Sequence, residues 1–485
     1  MRKRTVALLL VMVMVVASAL VGCSSSNNET NDKTNDKTSS TPTTNEATQN
    51  TDNTNDDSSE PVELTIWTHE STSQRVAAWD YVIKAFQEKY PNIKVTNEVV
   101  LWDDFQSKFL NAIQTNTAPD LVAVTETTWS SGYQVGGLVS LDDVVNNLDV
   151  TIMDNLIASY KTDGHYYAIP FASNCEMLFY RPSMLKAAGL TEPPKTWDEL
   201  LDYAKKLTVD KDGDGTPDQY GIGITTGRND LAQNTFAAFM ATAGVDVFDK
   251  EGNVDFNNEK IVSTFKLYKD LAAYTPAAAS GWSWGEIEMN WAAGTFAMFP
   301  YSSPNLSALL EANDTDIACA LLPSPDGSNV GHCNMVHSLA MTADCESRGN
   351  KEAASKFLQF ILQPEMSYVL SVCQEPGLYF PTTKEGNELL ASGYFNEEAF
   401  PLKNWDNTEG SATQTILANI NDVGAQTLSV AHAFGHKYGP VNLNFASIYG
   451  SQVFADVIQK CIIDGESPED AVKWGADSLE ELASE

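Results

Sequence analysis

Apolar and polar residues alternate from Val62 to Trp67 (VELTIW), the pattern of a strand with one buried face, and then give way to a polar loop, Thr68–Thr72. Val76, Trp79, Val82, Ile83, Phe86 and Tyr90 follow at helical spacing, and Pro91 ends that helix. Ile93–Val100 reads as the next strand, Trp102–Gln114 as a helix and Asp120–Val124 as a third strand. Strand–helix–strand–helix–strand predicts an α/β fold with a mostly parallel, doubly wound sheet. Ligands of such sheets sit beyond the carboxyl ends of the strands. That rule selects Trp67, His69, Glu70, Trp102, Glu126 and Trp129 as candidate contacts.

The stretch Tyr166–Leu207 organises the middle of the chain. Tyr166–Phe171 and Met177–Tyr180 read as buried strands, with a polar gap at Ala172–Glu176 between them. A chain that surfaces between two core strands exposes polar groups at one place, so Asn174 and Glu176 are expected at the lip of a cleft. Thr196 and Glu199 form the signature of a capping box, and Trp197, Leu200, Leu201, Ala204 and Leu207 fall on one face of the helix they start.

Further on, Glu286–Ala293 reads as a helix and Thr295–Phe299 as a strand leading to Pro300-Tyr301. Strands are expected at Ala318–Leu322 and His337–Met341, and helices at Lys351–Leu362, Ser447–Ile463 and Pro468–Leu482. Residues 376–440 are aromatic, glycine-rich and without clear period.

Before the first strand the pattern is of another kind. Residues 1–22 have a basic start and the apolar run Val6–Val16, a secretory leader too short in its core to span a bilayer. It ends in Leu20-Val21-Gly22-Cys23, which resembles a bacterial lipobox and implies cleavage before Cys23 and a lipid on its sulfur. Residues 24–60 are almost wholly Ser, Thr, Asn and Asp with scattered charges, too polar to offset the entropy of ordering. As a coil they reach roughly 35 Å, which suits a tether.

Composition narrows the partners. The 485 residues carry a formal charge of −35, and loss of Arg2, Lys3 and Arg4 with the leader makes it −38. Such a surface repels phosphate backbones and anionic headgroups, so nucleic acid is not an expected partner. Seven cysteines include no CxxC pair. Cys319 and Cys333 lie on neighbouring apolar runs and have the option of pairing, but small buried hydrophobes are the simpler reading.

Asp210, Asp212, Asp214, Thr216 and Asp218, with Gly215 at the sixth position, match the first half of a calcium loop. The twelfth position is Gly221 rather than Glu, so Asp218 would close the shell. A structural calcium ion is the expectation; the alternative is an Asp/Gly turn capping its own backbone.

Several passages then carry a family resemblance in order. They are LTIWTHE (Leu64–Glu70), AFQEKYPNIKV (Ala85–Val95), APDLVAV (Ala118–Val124), YAIPFASNCEMLFYR (Tyr167–Arg181) and WAAGTFAMFPY (Trp291–Tyr301). From Trp67 to Leu482 the chain resembles the extracellular solute-binding proteins of bacterial ABC sugar importers, the class that includes maltose-binding protein. The resemblance implies two α/β lobes joined by crossover strands, 61–171 with 323–375 and 172–322 with 376–485, closing on a sugar. It implies ligand contacts at Trp67, His69, Glu70, Glu126, Trp129, Asn174 or Glu176, and Tyr301, delivery to a membrane permease, a monomer, and anchoring outside the cell membrane through Cys23. The family's tryptophan near Tyr301 and its Asn at Arg181 are replaced here.

A sugar cleft needs aromatic plates for ring faces and short polar groups for hydroxyls. Trp282, Trp284 and Trp405 stand in aperiodic segments and join the candidates, with Arg228 as a hydroxyl donor, whereas Trp79, Trp197 and Trp474 fall on helix faces. A glycan-active enzyme would draw a carboxylate pair from Glu70, Glu126 and Glu176, but Ser73 breaks an HExxH reading and no GxSxG is present. A peptide or phosphorylated polyol is the other alternative ligand.

Overall fold

The computed structural model describes residues 61–484 apart from 329, 330, 332 and 401–403, so the expected leader, Cys23 and the 23–60 tether lie outside the described residues. The first alternating run forms β1 (Val62–Thr68), which pairs in parallel with β2 (Ile93–Val99) and β3 (Leu121–Val124). The helix Ser73–Lys89 between β1 and β2 buries Ala78, Trp79, Val82, Ile83 and Phe86, and the Thr72 hydroxyl caps it by accepting from the Arg75 amide.

β4 (Ile169–Cys175) and β5 (Met177–Tyr180) are separated by Glu176 alone, and they belong to different sheets. This corrects the expected gap at Ala172–Glu176. Ser173 and Asn174 are strand residues whose polar groups are satisfied across the ladder: Asn174 Oδ1 accepts from the Met335 amide at 3.0 Å, and Ser173 exchanges both backbone bonds with Phe380. β5 pairs antiparallel with both β7 (Phe296–Tyr301) and β8 (Ala318–Ala320), and β6 (Tyr220–Ile222) lies parallel to β7 on its far side. The expected capping box closes as predicted: the Glu199 amide donates to Thr196 Oγ1 at 3.2 Å and the Thr196 amide to Glu199 Oε2 at 3.3 Å.

The chain returns to the first sheet in β9 (Cys333–Met341), antiparallel to both β3 and β4, with β10 (His432–Ala433) beside its start. The β9–β4 ladder slips between His337 and Ser338, where Phe171 of β4 has no opposite residue. A bulge of this kind accommodates Pro170, which has no amide hydrogen to give a continuous ladder.

The two sheets serve two apolar cores. One contains Leu64, Val122, Phe171, Leu339 and Phe357 and extends to Phe179 and Phe299; the other contains Leu178, Ile222 and Met298 with Phe434, Phe454 and Leu479. Adjacent residues of β5 thus point to opposite cores, as strand alternation requires.

Two segments near the expected lobe boundaries reach the first sheet or its core. Residues 172–175 complete a strand of the first sheet. Thr382 and Lys384 bond to the backbone of Met153 and Thr151, and Phe380, Ile416 and Ile420 sit in the first core, while Asn419 bonds both the amide and the carbonyl of Cys319 in the second sheet, so the segment spans both. The segment without clear period also contains two helices, Lys384–Ala391 and Ala412–Leu428. Cys319 is a free thiol 3.6 Å from Met177 Sδ. No helix among the described residues is long and apolar enough to cross a membrane.

Candidate functional site

A cavity of about 370 Å³ opens between the two sheets around the Cys175–Met177 crossover. From the first-sheet side it is lined by His69 and Ser71 of the loop after β1, Arg75 and Trp102 at the starts of two helices, Asn174 and Glu176, Met335 and His337 of β9, and Leu378 and Tyr379. From the second-sheet side come Asp230 and Asn234 on the helix Asp230–Thr242, Trp284 and Glu288 on the helix Trp284–Ala292, Tyr301–Ser303, and Tyr449. A second hollow of about 560 Å³ shares Trp102, Asp230 and Tyr449 and continues past Phe105, Thr127 and Thr128.

Glu70 lies under the floor. Its Oε1 accepts from Tyr379 Oη at 3.1 Å and stands 3.2 Å from His69 Nε2, while Oε2 accepts from Arg75 at 3.0 Å. Burial would raise this carboxyl, but His69, Arg75 and His337 together hold it well below the usual carboxylate range. Arg75 also bonds Glu375 through Nε at 3.1 Å, and Ser303 donates to the other oxygen of Glu375 at 3.0 Å.

His337 is buried with neither ring nitrogen hydrogen-bonded and its Nδ1 3.9 Å from Glu70 Oε1; burial beside His69 and Arg75 pushes its pKa down to about 3, so its ring is neutral. His69, Glu70 and His337 form a cluster of metal-ligand type, with Arg75 adding a positive charge at its edge.

Two cavity carboxyls are held differently. Glu176 is 7% exposed and its Oε2 has no partner; burial, with Glu126 nearby, raises it to about 8. Glu288 accepts from Tyr301 Oη at 3.0 Å, and burial with the charge of Glu375 raises it to about 7 against the opposing effects of Tyr301 and Arg75.

Of the residues singled out in the sequence, His69, Trp102, Asn174, Glu176, Trp284 and Tyr301 line the cavity, and Glu70 supports it. Six others do not. The Trp67 indole turns outward along β1 and donates to Glu98 on β2 at 2.8 Å. Glu126 is buried behind the crossover, where it accepts from the Val336 amide at 2.9 Å, and burial raises it to about 7. Trp129 is wholly buried and stacks at 6.1 Å on Tyr167; its neighbours Thr127 and Thr128 face the second hollow instead. Arg228 pairs with Asp456 at the surface. Trp282 packs on Phe296, and its carbonyl accepts from Thr225 and Asn229. Trp405 stacks on Phe395 and lines a separate groove of about 570 Å³.

The residues that sequence reading missed are chiefly Arg75, Asp230, Asn234, Glu288, His337, Tyr379 and Tyr449. A histidine directly after the apolar pair Met335-Val336 in β9, and an asparagine inside the almost wholly buried helix Asp230–Thr242, were the available signals.

In the acidic loop, one oxygen each of Asp210, Asp212 and Asp218 lie within 4.8 Å of one another. Asp214 is outside that group, and its carboxylate accepts from the Thr216 amide at 2.7 Å. Asp210 accepts from the Gly213 and Gly215 amides at 2.7 and 2.9 Å, both glycines having positive φ, and these bonds hold its carboxyl below the usual range.

Two sheets joined by single-strand crossovers, with a lined cavity between them, define a two-lobed binding protein. Residues 70–367, more than half of the chain, match the model of the bacterial extracellular solute-binding proteins, and the chain belongs to that family. YcjN of Escherichia coli strain K12, which carries the name of an ABC transporter periplasmic-binding protein, is 26% identical over 65% of this chain and 72% of its own. The diacetylchitobiose-binding protein DasA of Streptomyces coelicolor is 24% identical over 62% of this chain and 69% of its own. Among solved structures, an ABC transporter solute-binding protein of Thermotoga lettingae bound with α-D-tagatose superposes with a TM-score of 0.68 at 23% identity, over 87% of this chain and all of that one.

Proposed function

We propose that this protein is the extracytoplasmic receptor of an ABC importer and carries a carbohydrate, an oligosaccharide, in the cavity between its lobes. One observation carries the reading: Trp102, Trp284, Tyr301 and Tyr379 line one cavity together with Asn174, Glu176, Asp230 and Glu288, and that cavity is reached from both lobes. Indole and phenol rings suit the apolar faces of a sugar, and carboxylates and amides suit its hydroxyls. A guest touching both halves stabilises only their closed arrangement, and that shape is the message to the permease. No bond in the sugar needs to change. Relatives named for arabinooligosaccharide and diacetylchitobiose support the same class of guest.

The test is calorimetry over a panel of mono- and oligosaccharides, with small-angle scattering of the free and loaded protein. Saturable binding with a smaller radius of gyration is expected. Absence of binding to every saccharide would overturn the reading.

A phosphorylated polyol is the second reading, supported by relatedness to UgpB of Yersinia enterocolitica. Against it, the one guanidinium of the described lining is already held between Glu70 and Glu375.

The body is proposed to hang from a lipid on Cys23, on the strength of Leu20–Cys23 and the polar run behind it. Mass spectrometry of the membrane-extracted N-terminal peptide tests that. The convergence of Asp210, Asp212 and Asp218 supports a structural calcium ion in their loop.

A further inference from the structure

We propose that the saccharide preferred by this cleft bears a protonated amino group, seated between the Glu288 carboxylate and the Trp284–Tyr301 ring pair. This rests on the carbohydrate reading above and names the class of sugar within it.

Charge around the cavity is lopsided. Glu176, Asp230 and Glu288 line it, and Glu70, Glu375 and Glu126 stand behind them. The basic side chains of the described lining are Arg75, His69 and His337. Arg75 bonds two carboxylates, and His69 and His337 both face Glu70. A carboxylate enclosed without a cation is costly, so Glu176 and Glu288 hold their protons to about 8 and about 7 in the free cleft, and a neutral sugar brings no charge that would let them ionise. An ammonium supplies three donors and the charge together.

Geometry selects the place. Tyr301 Oη reaches Glu288 at 3.0 Å, and the Trp284 ring stands 6.0 Å from the Tyr301 ring, half-exposed on the same cavity wall. A carboxylate beside aromatic faces is the pairing that holds an ammonium by ion pair and cation–π attraction at once. Glu176 provides a second, independent sign of an unfilled polar subsite, because its Oε2 lies buried on the cavity wall without a hydrogen-bond partner. A phosphate or uronate would add like charge to the same wall and be rejected.

The test is calorimetry on the mature protein with matched sets of sugars: glucosamine, galactosamine and mannosamine and their short oligomers, each beside its N-acetylated, hydroxyl and 6-phosphate counterparts. In the set whose stereochemistry fits, the free amine is expected to bind about tenfold or more tighter than its N-acetyl and hydroxyl counterparts. The 6-phosphate is expected not to bind. That preference should weaken with added salt and be lost in Glu288→Gln, with Glu176→Gln as a second variant should the first fold poorly. Equal or weaker binding of the amine in every set would overturn this inference and leave the carbohydrate reading standing. Failure of all saccharides would overturn both.

Discussion

Cys175 and Met177 are two positions apart and end up in different sheets, the first in β4 and the second at the start of β5. Glu176 between them is therefore both the crossing point of the backbone and part of the cavity wall. Its carboxyl titrates from about 8, that of Glu288 from about 7 and that of buried Glu126 from about 7, against 4.5 for an ordinary Glu. An acid whose folded pKa is raised favours the folded state while protonated and loses that contribution as pH climbs from the unfolded value to the folded one. His337 and His436, pushed down to about 3 and about 4, and His432, also lowered by burial, act in the opposite direction, and their effect fades as the unfolded imidazoles lose their protons above pH 6.5. Between pH 6.5 and 8 the carboxyls outweigh them. The melting midpoint of the ligand-free protein should fall across that window, and Glu176→Gln should flatten the fall. A midpoint that rises there would contradict the assignment.

Trp284 and Trp129 make opposite predictions from the same substitution. Trp284 is 36% exposed on the cavity wall, so Trp284→Ala should weaken the sugar by about 10- to 100-fold with little change in melting. Trp129 is fully buried, and Trp129→Ala should cost about 3–5 kcal/mol in denaturant unfolding. An unchanged stability for the second would return Trp129 to the list of ligand contacts.

Arg75→Ala removes the guanidinium bonded to Glu70 and strips Glu375 as well. Breaking a buried pair by deleting one partner costs about 3–5 kcal/mol, because the other charge stays buried. Loss of stability on that scale, relieved by adding Glu70→Gln, is the expected result of urea titrations.

For the acidic loop, added calcium should raise the melting midpoint and a chelator should lower it. At a hundredfold excess over Kd the ion stabilises by roughly 2.7 kcal/mol. Asp210→Ala should abolish the response. A midpoint indifferent to both reagents would leave the loop as a turn closed by its own Asp–amide bonds.

What was legible in the sequence was local. The β1 alternation, the face of the helix Ser73–Lys89 and the Thr196–Glu199 box each depend on residues a few positions apart, and all formed as read. The loop after β1 also pointed to His69, which lines the cavity. Indoles were harder, since an aperiodic tryptophan has no pattern to say which wall it faces. Trp67 turned to Glu98 across the ladder and Trp282 into the core, although both sit beside cavity residues. Tyr379 was out of reach, because its partner Glu70 lies 309 positions earlier and no short-range spacing encodes that contact. The full length of β4 was hidden for the same reason: the pairing of Ser173 with Phe380 is visible only once the chain is folded.

Arg75 clasps Glu375 across 300 positions of chain, and Tyr379 reaches back still further to Glu70. The floor of the cavity is therefore finished by the last third of the polypeptide. A chain still emerging from a ribosome or threading an export pore has no completed pocket, whatever portion of it has already coiled into helices. Competence to capture a guest is acquired late, after nearly everything else has been made, and a protein cut short before Tyr379 would be an empty scaffold.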